Sequence, residues 1–232
     1  MPSISVVLPA YNEEKNVPKI IAEVVETLQE ITQDYEVIVV NDGSKDRTAD
    51  VTRELALQNP RIRLVAHEVN RGYGAAVHSG FYAATKELVF LTDADNQFDV
   101  SEISKLLPHI GDADLAIGYR VHRQDPFIRK LNAFGWCWLV NLLFGYTARD
   151  VDCAFKLFKR EILDNITIES RGATFSAEFL VRAKRKGYTI LEVPVTHRPR
   201  IAGRQTGARL DVILRAFREL IRFHRSLSRE KA

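Results

Sequence analysis

The feature that most constrains the fold is an alternation of short apolar runs with helix-length segments over the first 120 residues. The runs are rich in β-branched residues, and helical patterns of polar and apolar residues separate them. The predicted strands cover residues 4–8, 36–40, 62–66, 88–92 and 115–118, and the predicted helices cover residues 14–31, 46–57, 74–85 and 100–107. Such alternation predicts an α/β fold, in which helices cover both faces of a mostly parallel sheet.

The second half of the chain is less regular. Residues 173–186 predict a helix and residues 188–195 a strand. The apolar segment 127–145 is short for a membrane-spanning helix, so packing in a core or lying on a membrane surface are the better interpretations. Residues 211–227 predict a basic amphipathic helix. We therefore expect one domain over residues 1–207, with residues 208–232 as a C-terminal helix that belongs to it or lies on a membrane surface.

Charge is unevenly distributed along the chain. The formal net charge of the chain is +3. From Arg198 onward the chain has ten basic and three acidic residues, so this tail carries a net charge of about +7. A basic tail suits an anionic partner such as a phosphate, a nucleic acid or an anionic membrane. The two cysteines form neither a disulfide framework nor a zinc motif, and the N-terminus resembles a first strand rather than a signal peptide.

Polar clusters directly follow the predicted strands, where parallel sheets place their active sites. Asp93-Ala94-Asp95 follows the fourth strand, so its two carboxylates point the same way, and Gln97 adds an amide oxygen. Carboxylates completed by diphosphate oxygens and water suit Mg²⁺ or Mn²⁺. The alternative interpretation of this cluster is an acidic turn without a ligand.

Three other clusters also permit two interpretations. Asp42 could contact a nucleobase or ribose, or the residues after it could cap the next helix. Tyr11 and Glu13 could line the same site, or Glu13 could stabilise a helix N-terminus. The glycine-rich segment 70–76 could bring backbone N–H groups to an anion, although it matches neither a Walker A motif nor a dinucleotide-binding fingerprint.

The combination of clusters is more specific than any one of them. Pro9-Ala10-Tyr11-Asn12-Glu13, Asn41-Asp42-Gly43-Ser44, Asn70-Arg71-Gly72 and Asp93-Ala94-Asp95 occur in an order and spacing that resemble the family 2 glycosyltransferases of the GT-A fold. Gly118-Tyr119-Arg120 and the segment 150–156 resemble the branch that includes dolichol-phosphate mannose synthase and bacterial polyprenyl-phosphate glycosyltransferases. The resemblance extends, more weakly, to about residue 207.

This resemblance implies roles for individual residues. Asp95, Arg120 and Arg129 would be catalytic, with the two arginines on the acceptor phosphate. Asp93, Asp95 and Gln97 would hold the divalent metal. The donor would be bound by the following residues: Pro9, Tyr11, Glu13, Asp42, Gly72, Asp93, Ala94, Arg200 and Arg204.

One departure from the family pattern affects the donor loop. The segment 200–206 resembles the family loop R-x-x-G-x-S-K, but Gln205-Thr206 stands where that pattern has Ser-Lys. Arg200 keeps its place while the lysine charge is missing, so Arg204 or Arg209 would have to substitute for it. This departure affects the predicted donor and the predicted role of the loop, and it leaves the resemblance to the family unchanged.

The leading hypothesis is an inverting, metal-dependent glycosyltransferase that moves a sugar from a GDP- or UDP-sugar to polyprenyl or dolichyl phosphate. It would lie at the cytoplasmic face of an anionic membrane, as a homodimer or with a separate membrane partner, and bind no nucleic acid. One alternative is a soluble family 2 enzyme with a hydroxyl acceptor, for which Asp150, Asp152 or Glu178 would be the base. Another is a non-catalytic protein that binds nucleotide-sugar or nucleic acid.

Overall fold

The structure is a computed structural model that describes residues 1–121, 127–200 and 210–229, without the side chains of 127–129 and 210–214. Its centre is a seven-stranded sheet in the order β3-β2-β1-β4-β6-β5-β7. The strands are β1 (Ile4–Ala10), β2 (Tyr35–Asp42), β3 (Ile62–His67), β4 (Leu88–Thr92), β5 (Leu115–Val121), β6 (Phe155–Lys159) and β7 (Ile190–Thr196). Within the described residues, β6 alone runs antiparallel to its neighbours β4 and β5.

Helices connect most of these strands. They are α1 (Val17–Ile31), α2 (Thr48–Gln58), α3 (Tyr73–Ala83), α4 (Ile103–Leu106), α5 (Phe127–Phe144), α6 (Ile162–Asn165), α7 (Phe175–Arg185) and α8 (Leu210–Arg229). This is the α/β architecture with a mostly parallel sheet, flanking helices and a C-terminal amphipathic helix that the sequence predicts.

The core has two layers because side chains alternate across each strand. On β1, Ile4, Val6 and Leu8 face the layer that contains α1, α2 and α4, whereas Val7 faces the layer that contains α3, α5 and α7. All seven residues of β1 are buried, as expected for a central strand covered on both faces. Leu220 brings α8 into the second layer.

Some predicted elements differ from the observed ones. The predicted helix at 100–107 is a short α4 between two 3₁₀ turns, Val100–Glu102 and Leu107–His109. A proline at 108 removes a helical N–H donor and explains the interruption. The strand β6 has no counterpart in the prediction, because a five-residue run with two lysines carries little apolar signal.

The direction of β6 determines which segments share an edge of the sheet. The carboxyl ends of the parallel strands lie together, and the amino end of an antiparallel strand lies with them. The turn before β6, residues 150–154, therefore joins the segments that follow β1, β2, β4, β5 and β7. This edge carries most of the polar clusters that the sequence singles out.

Candidate active site

The carboxylate pair after β4 forms the centre of the site. Asp95 and Ala94 are buried, and Asn96 has a φ of 59°, which turns the chain sharply. The backbone N–H of Gln97 donates to Asp95 Oδ1 at 3.1 Å. Burial, together with the nearby charge of Asp95, raises the pKa of Asp93 to about 7.

This arrangement fits a divalent cation. Two carboxylates that oppose each other's ionisation would both be stabilised as anions by a cation between them. The side-chain amide nitrogen of Gln97 donates to the carbonyl of Arg198 at 3.1 Å, which fixes the orientation of the amide. Within the described part of the chain, no group of three or more His, Cys, Asp or Glu side chains could hold a metal, so Asp93, Asp95 and Gln97 would need ligands from a bound diphosphate.

Tyr73, the first residue of α3, also contacts this pair. Desolvation of its hydroxyl, followed by the nearby charge of Asp93, raises the pKa of Tyr73 well above its usual value. The phenol therefore stays protonated and remains a donor. No sequence motif singles out Tyr73, apart from its place after Gly72 at a helix N-terminus.

Arg200, which follows β7, contacts one carboxylate of the pair. Its guanidinium pairs with Asp95 Oδ2 at 3.2 Å and with Glu13 Oε1. Glu13 also accepts from the side chain of Asn16 at 2.5 Å, and burial raises its pKa. The structure thus brings together two residues of the predicted donor site, Glu13 and Arg200, which are 187 positions apart in the chain, with the predicted metal ligand Asp95.

Asp42, at the end of β2, lies in a buried network. Its carboxylate accepts from the backbone N–H groups of Arg71 at 2.9 Å and Gly72 at 2.8 Å. Gly43 next to it has a φ of 65°, and a Cβ at this position would lie 2.3 Å from the backbone of Val69. Asp42 therefore holds the glycine-rich turn against the end of β2, and its predicted contact with the donor stays a prediction.

Loops after β1 and β2 are tied to each other beside this turn. Asn12 Oδ1 accepts from the N–H of Lys45 at 2.8 Å, and the N–H of Asn12 donates to Ser44 Oγ at 2.9 Å. Pro9 is buried in β1, and Tyr11 is half-buried at its end. The predicted donor residues of both loops therefore lie at one edge of the sheet.

Arg120, at the end of β5, is held by Asp150 from the turn before β6. Two parallel contacts of 2.7 Å join Nε and Nη2 of Arg120 to the two carboxylate oxygens. Burial alone would lower the pKa of Arg120, but the hydrogen bonds and charge of Asp150 raise it above its usual value. Lys156 anchors the same turn, since its buried ammonium donates to the carbonyls of Val151 and Cys153.

A groove of about 390 Å³ opens beside Arg120. Its wall combines basic and large apolar side chains from β5, α5 and the turn at 149–150: Tyr119, Arg120, Lys130, Phe134, Trp138 and Arg149. The side chain of Arg129, predicted to bind the acceptor phosphate, lies outside the described residues, as does all of Arg204.

The three predicted base candidates differ in their ion pairs and in their exposure to solvent. Asp150 is engaged with Arg120. Glu178 is 1% exposed, accepts from the N–H groups of Glu169 and Ser170, and pairs with Arg182 at 2.7 Å, so it organises the start of α7. Asp152 is exposed in the turn before β6.

Helices α5 and α8 form a surface next to the groove. Four large apolar residues on one face of α5 are exposed, namely Leu131, Phe134, Trp138 and Leu142. Helix α8 exposes Phe217 and Ile221 among its arginines, and a ring contact of 6.0 Å between Trp136 and Phe217 joins the two helices. Among the described residues, no helix is both long enough and apolar enough to cross a membrane.

Comparisons with known proteins agree with this architecture. The family model described as Glycosyl transferase family 2 matches residues 5–167. A dolichyl-phosphate beta-glucosyltransferase, ALG5D of Trichomonas vaginalis, is 34% identical over 83% of the chain and 64% of its own length. A dolichyl-phosphate hexose transferase of Haloferax volcanii is 31% identical over 85% of the chain and 83% of its own length. The chain thus spans less than two thirds of the Trichomonas relative.

Among solved structures, glucosyl-3-phosphoglycerate synthase from Mycobacterium tuberculosis, in complex with Mn²⁺, UDP and phosphoglyceric acid, has a similar fold. The TM-score is 0.71 at 20% identity, over 96% of the chain and 77% of that protein. At this identity the likeness concerns the fold alone.

Proposed function

Because the chain belongs to glycosyl transferase family 2, we propose that it transfers a sugar from a nucleotide-diphosphate sugar to a polyprenyl or dolichyl phosphate. The observation that carries the proposal is the placement of Arg120. This arginine is fixed by Asp150 at the same sheet edge as Asp93 and Asp95, and beside an apolar groove. A donor diphosphate and a lipid phosphate could therefore bind next to each other.

The roles of the residues follow from their chemistry. Asp93, Asp95 and Gln97 would hold a divalent metal, which when bound offsets the charge that develops on the departing diphosphate. Arg200 would move from Glu13 and Asp95 to the diphosphate oxygens. Arginine suits this role because its planar fork of N–H donors matches phosphate oxygens.

The acceptor phosphate would be held by Arg120. A phosphate monoester is already anionic near neutral pH, so its oxygen can attack the anomeric carbon without a dedicated base, with inversion at that carbon. Positioning and electrostatics then supply the rate enhancement. This fits the structure, since two of the three base candidates, Asp150 and Glu178, are engaged in ion pairs.

A hydroxyl acceptor is the second candidate, and Asp152, an exposed residue in the turn before β6, favours it. A sugar hydroxyl would need such a base. The two candidates differ in the acceptor, so a transfer assay should offer radiolabelled UDP-glucose or GDP-mannose with dolichyl phosphate, dolichol and soluble sugars. Transfer to dolichyl phosphate alone supports the proposal, and transfer to a soluble sugar alone would replace it with the hydroxyl reaction.

The same assay tests the carboxylate pair. Asp93→Asn and Asp95→Asn should each lower transfer by about a hundredfold or more, as expected when one element of transition-state charge stabilisation is lost. Asp50→Asn, an exposed aspartate on α2, is the matched control and should keep wild-type activity. Near-normal transfer by either site variant, at saturating Mg²⁺ or Mn²⁺, would show that the site is misassigned.

The lipid acceptor would be met at the surface formed by α5 and α8. We infer that its exposed apolar residues enter an anionic membrane while the arginines of α8 meet the headgroups. Each basic residue near such a surface contributes about 1 kcal/mol. Replacing Arg218 and Arg222 by glutamate should therefore weaken flotation with phosphatidylglycerol vesicles by well over tenfold.

Lys19→Glu is the matched control for this charge reversal, since Lys19 is exposed on α1 in the opposite helical layer. It should leave vesicle binding unchanged. If the wild-type protein does not float with anionic vesicles at low salt, α5 and α8 do not serve as a membrane surface.

A further inference from the structure

Three polar side chains form a largely buried chain of hydrogen bonds behind the predicted nucleotide site. Asp42 and His67 end β2 and β3, where the two parallel strands place them side by side. Nδ1 of His67 lies 2.7 Å from Asp42 Oδ1, and its Nε2 lies 2.9 Å from Ser79 Oγ on α3. The side chains of Asp42 and His67 are 4% and 6% exposed, so water has little access to the bond between them.

The direction of each bond follows from the donors and acceptors present. An ionised carboxylate can only accept, so Nδ1 of His67 must carry the hydrogen that it shares with Asp42. In the neutral ring, Nε2 then accepts the hydroxyl hydrogen of Ser79. Each side chain thereby fixes the orientation of the next, from α3 to the end of β2.

The last member of the chain controls the glycine-rich turn. Asp42 accepts from the N–H groups of Arg71 and Gly72, and its backbone carbonyl accepts from the side chain of Asn70 at 3.2 Å. A rotation of the Asp42 carboxylate would break both bonds to the turn. Since Gly72 precedes Tyr73, whose hydroxyl lies close to Asp93, the turn also connects this network to the carboxylate pair.

A Ser-His-Asp order also occurs in nucleophilic hydrolases, but the surroundings of Ser79 do not suit that chemistry. A nucleophile needs free N–H donors beside it to stabilise an oxyanion. Ser79 lies inside α3, where backbone N–H groups are used in helical hydrogen bonds. The three side chains are therefore better suited to holding a structure than to attacking a substrate.

We propose that His67 and Ser79 are positioning residues of the nucleotide site: they orient Asp42, which fixes the Arg71–Gly72 turn against the donor. The inference rests on the proposed function, because it assumes that this turn faces a nucleotide. It predicts that breaking the chain at either residue weakens nucleotide binding and raises the KM for the donor, with a smaller effect on kcat.

Four single variants and one double variant test this. Ser79→Ala removes one bond and His67→Leu removes both bonds of the ring. His67→Asn keeps an N–H donor where Nδ1 stands and loses the contact with Ser79. Ser5→Ala is the matched control, because Ser5 is also buried and hydrogen-bonded, to Glu36 at 2.8 Å, but at the amino end of the sheet.

Binding should be measured by calorimetry with UDP and with GDP in the presence of Mn²⁺, alongside thermal unfolding. We expect His67→Leu to weaken binding of the preferred nucleotide by about tenfold or more, as for the loss of a buried hydrogen bond to a charged group. His67→Asn should restore most of the affinity. Ser79→Ala should have an intermediate effect in the wild type and almost none on top of His67→Leu, because residues acting through one chain are not additive.

The outcomes separate the two hypotheses. If the wild-type protein binds neither nucleotide, the proposed function fails. If it binds one of them and His67→Leu binds it equally well, the function stands and the positioning role is wrong. Equal losses of affinity in Ser5→Ala and Ser79→Ala would also overturn the inference, because they would show a general effect of lower stability.

Discussion

Arg200 occupies the place where a cation would neutralise the carboxylates of the site. It pairs with Glu13 and with Asp95, and the three side chains are 16%, 8% and 12% exposed. A metal ion that binds Asp95 in the absence of nucleotide must therefore displace a guanidinium from a partly dehydrated ion pair. We predict that Arg200→Met makes the nucleotide-free protein bind Mn²⁺ more tightly.

The size of the effect follows from the bond that the metal would have to break. A hydrogen bond to a charged group contributes about 1.5–3 kcal/mol net. Since about 1.4 kcal/mol corresponds to a tenfold change in affinity, losing this competitor should lower the Kd for Mn²⁺ by roughly 10- to 100-fold. With UDP present the sign should reverse, because Arg200 is then proposed to bind the diphosphate.

The assay is electron paramagnetic resonance of free Mn²⁺ in titrations with and without UDP. Arg198→Met is the matched control, since Arg198 pairs with Asp99 and Glu23 instead of the site carboxylates. It removes the same charge two residues away and should change the Kd by less than about threefold, as expected for a charge screened by solvent and salt. If Arg200→Met binds Mn²⁺ no more tightly than the wild type does, the guanidinium does not compete with the metal.

Three further predictions concern stability and donor choice. Asp150→Asn leaves the Arg120 cation, which is 9% exposed, without its carboxylate partner. The free energy of unfolding should fall by about 3 kcal/mol, and Tm should fall by roughly 6–12 °C. A loss under about 1 kcal/mol would contradict the pairing. The pKa of Glu36 lies below its usual 4.5, because hydrogen bonds from its neighbours outweigh the effect of burial. The ionised Glu36 therefore stabilises the fold above pH 4.5, and this contribution is lost as the pH falls through the folded pKa. In Glu36→Gln, the free energy of unfolding in urea should therefore depend less on pH between about pH 5 and pH 3. An unchanged pH dependence over this range would refute this. Asp42 already accepts three hydrogen bonds of about four that a carboxylate can take, which suits the single N–H of uracil better than the paired donors of guanine. UDP should therefore bind at least about tenfold more tightly than GDP in calorimetry, and equal binding would disprove this assignment.

Much of this site could be predicted because parallel strands place their carboxyl ends together. The segments after β1, β2 and β4 follow strands with clear apolar signals, and their polar residues do share one edge. His67 obeys the same rule, as the last residue of β3. Metal-ligand spacing in the sequence does not single out this histidine, whereas its place at a strand end does.

The turn before β6 could not be predicted in the same way. Lys156 lies in a strand whose sequence resembles a solvated surface, yet its side chain is 1% exposed. Carbonyls of the preceding turn accept its N–H groups, and burial lowers its pKa. Burying an ammonium group depends on such partners, which the chain supplies through its tertiary fold and which local sequence patterns do not reveal.

The two arginines of the site differ in how their carboxylates hold them, and this difference suggests separate tasks. Asp150 binds Arg120 through Nε and Nη2, a two-point contact with a single carboxylate that fixes the plane of the guanidinium. Arg200 spreads Nη1 and Nη2 over two carboxylates, Asp95 and Glu13. One of these is a proposed metal ligand, so a metal-bound donor would remove a partner of Arg200 and would leave Arg120 paired. Arg120 is thus suited to a permanent acceptor site, whereas Arg200 is suited to exchange carboxylates for diphosphate each time a donor binds.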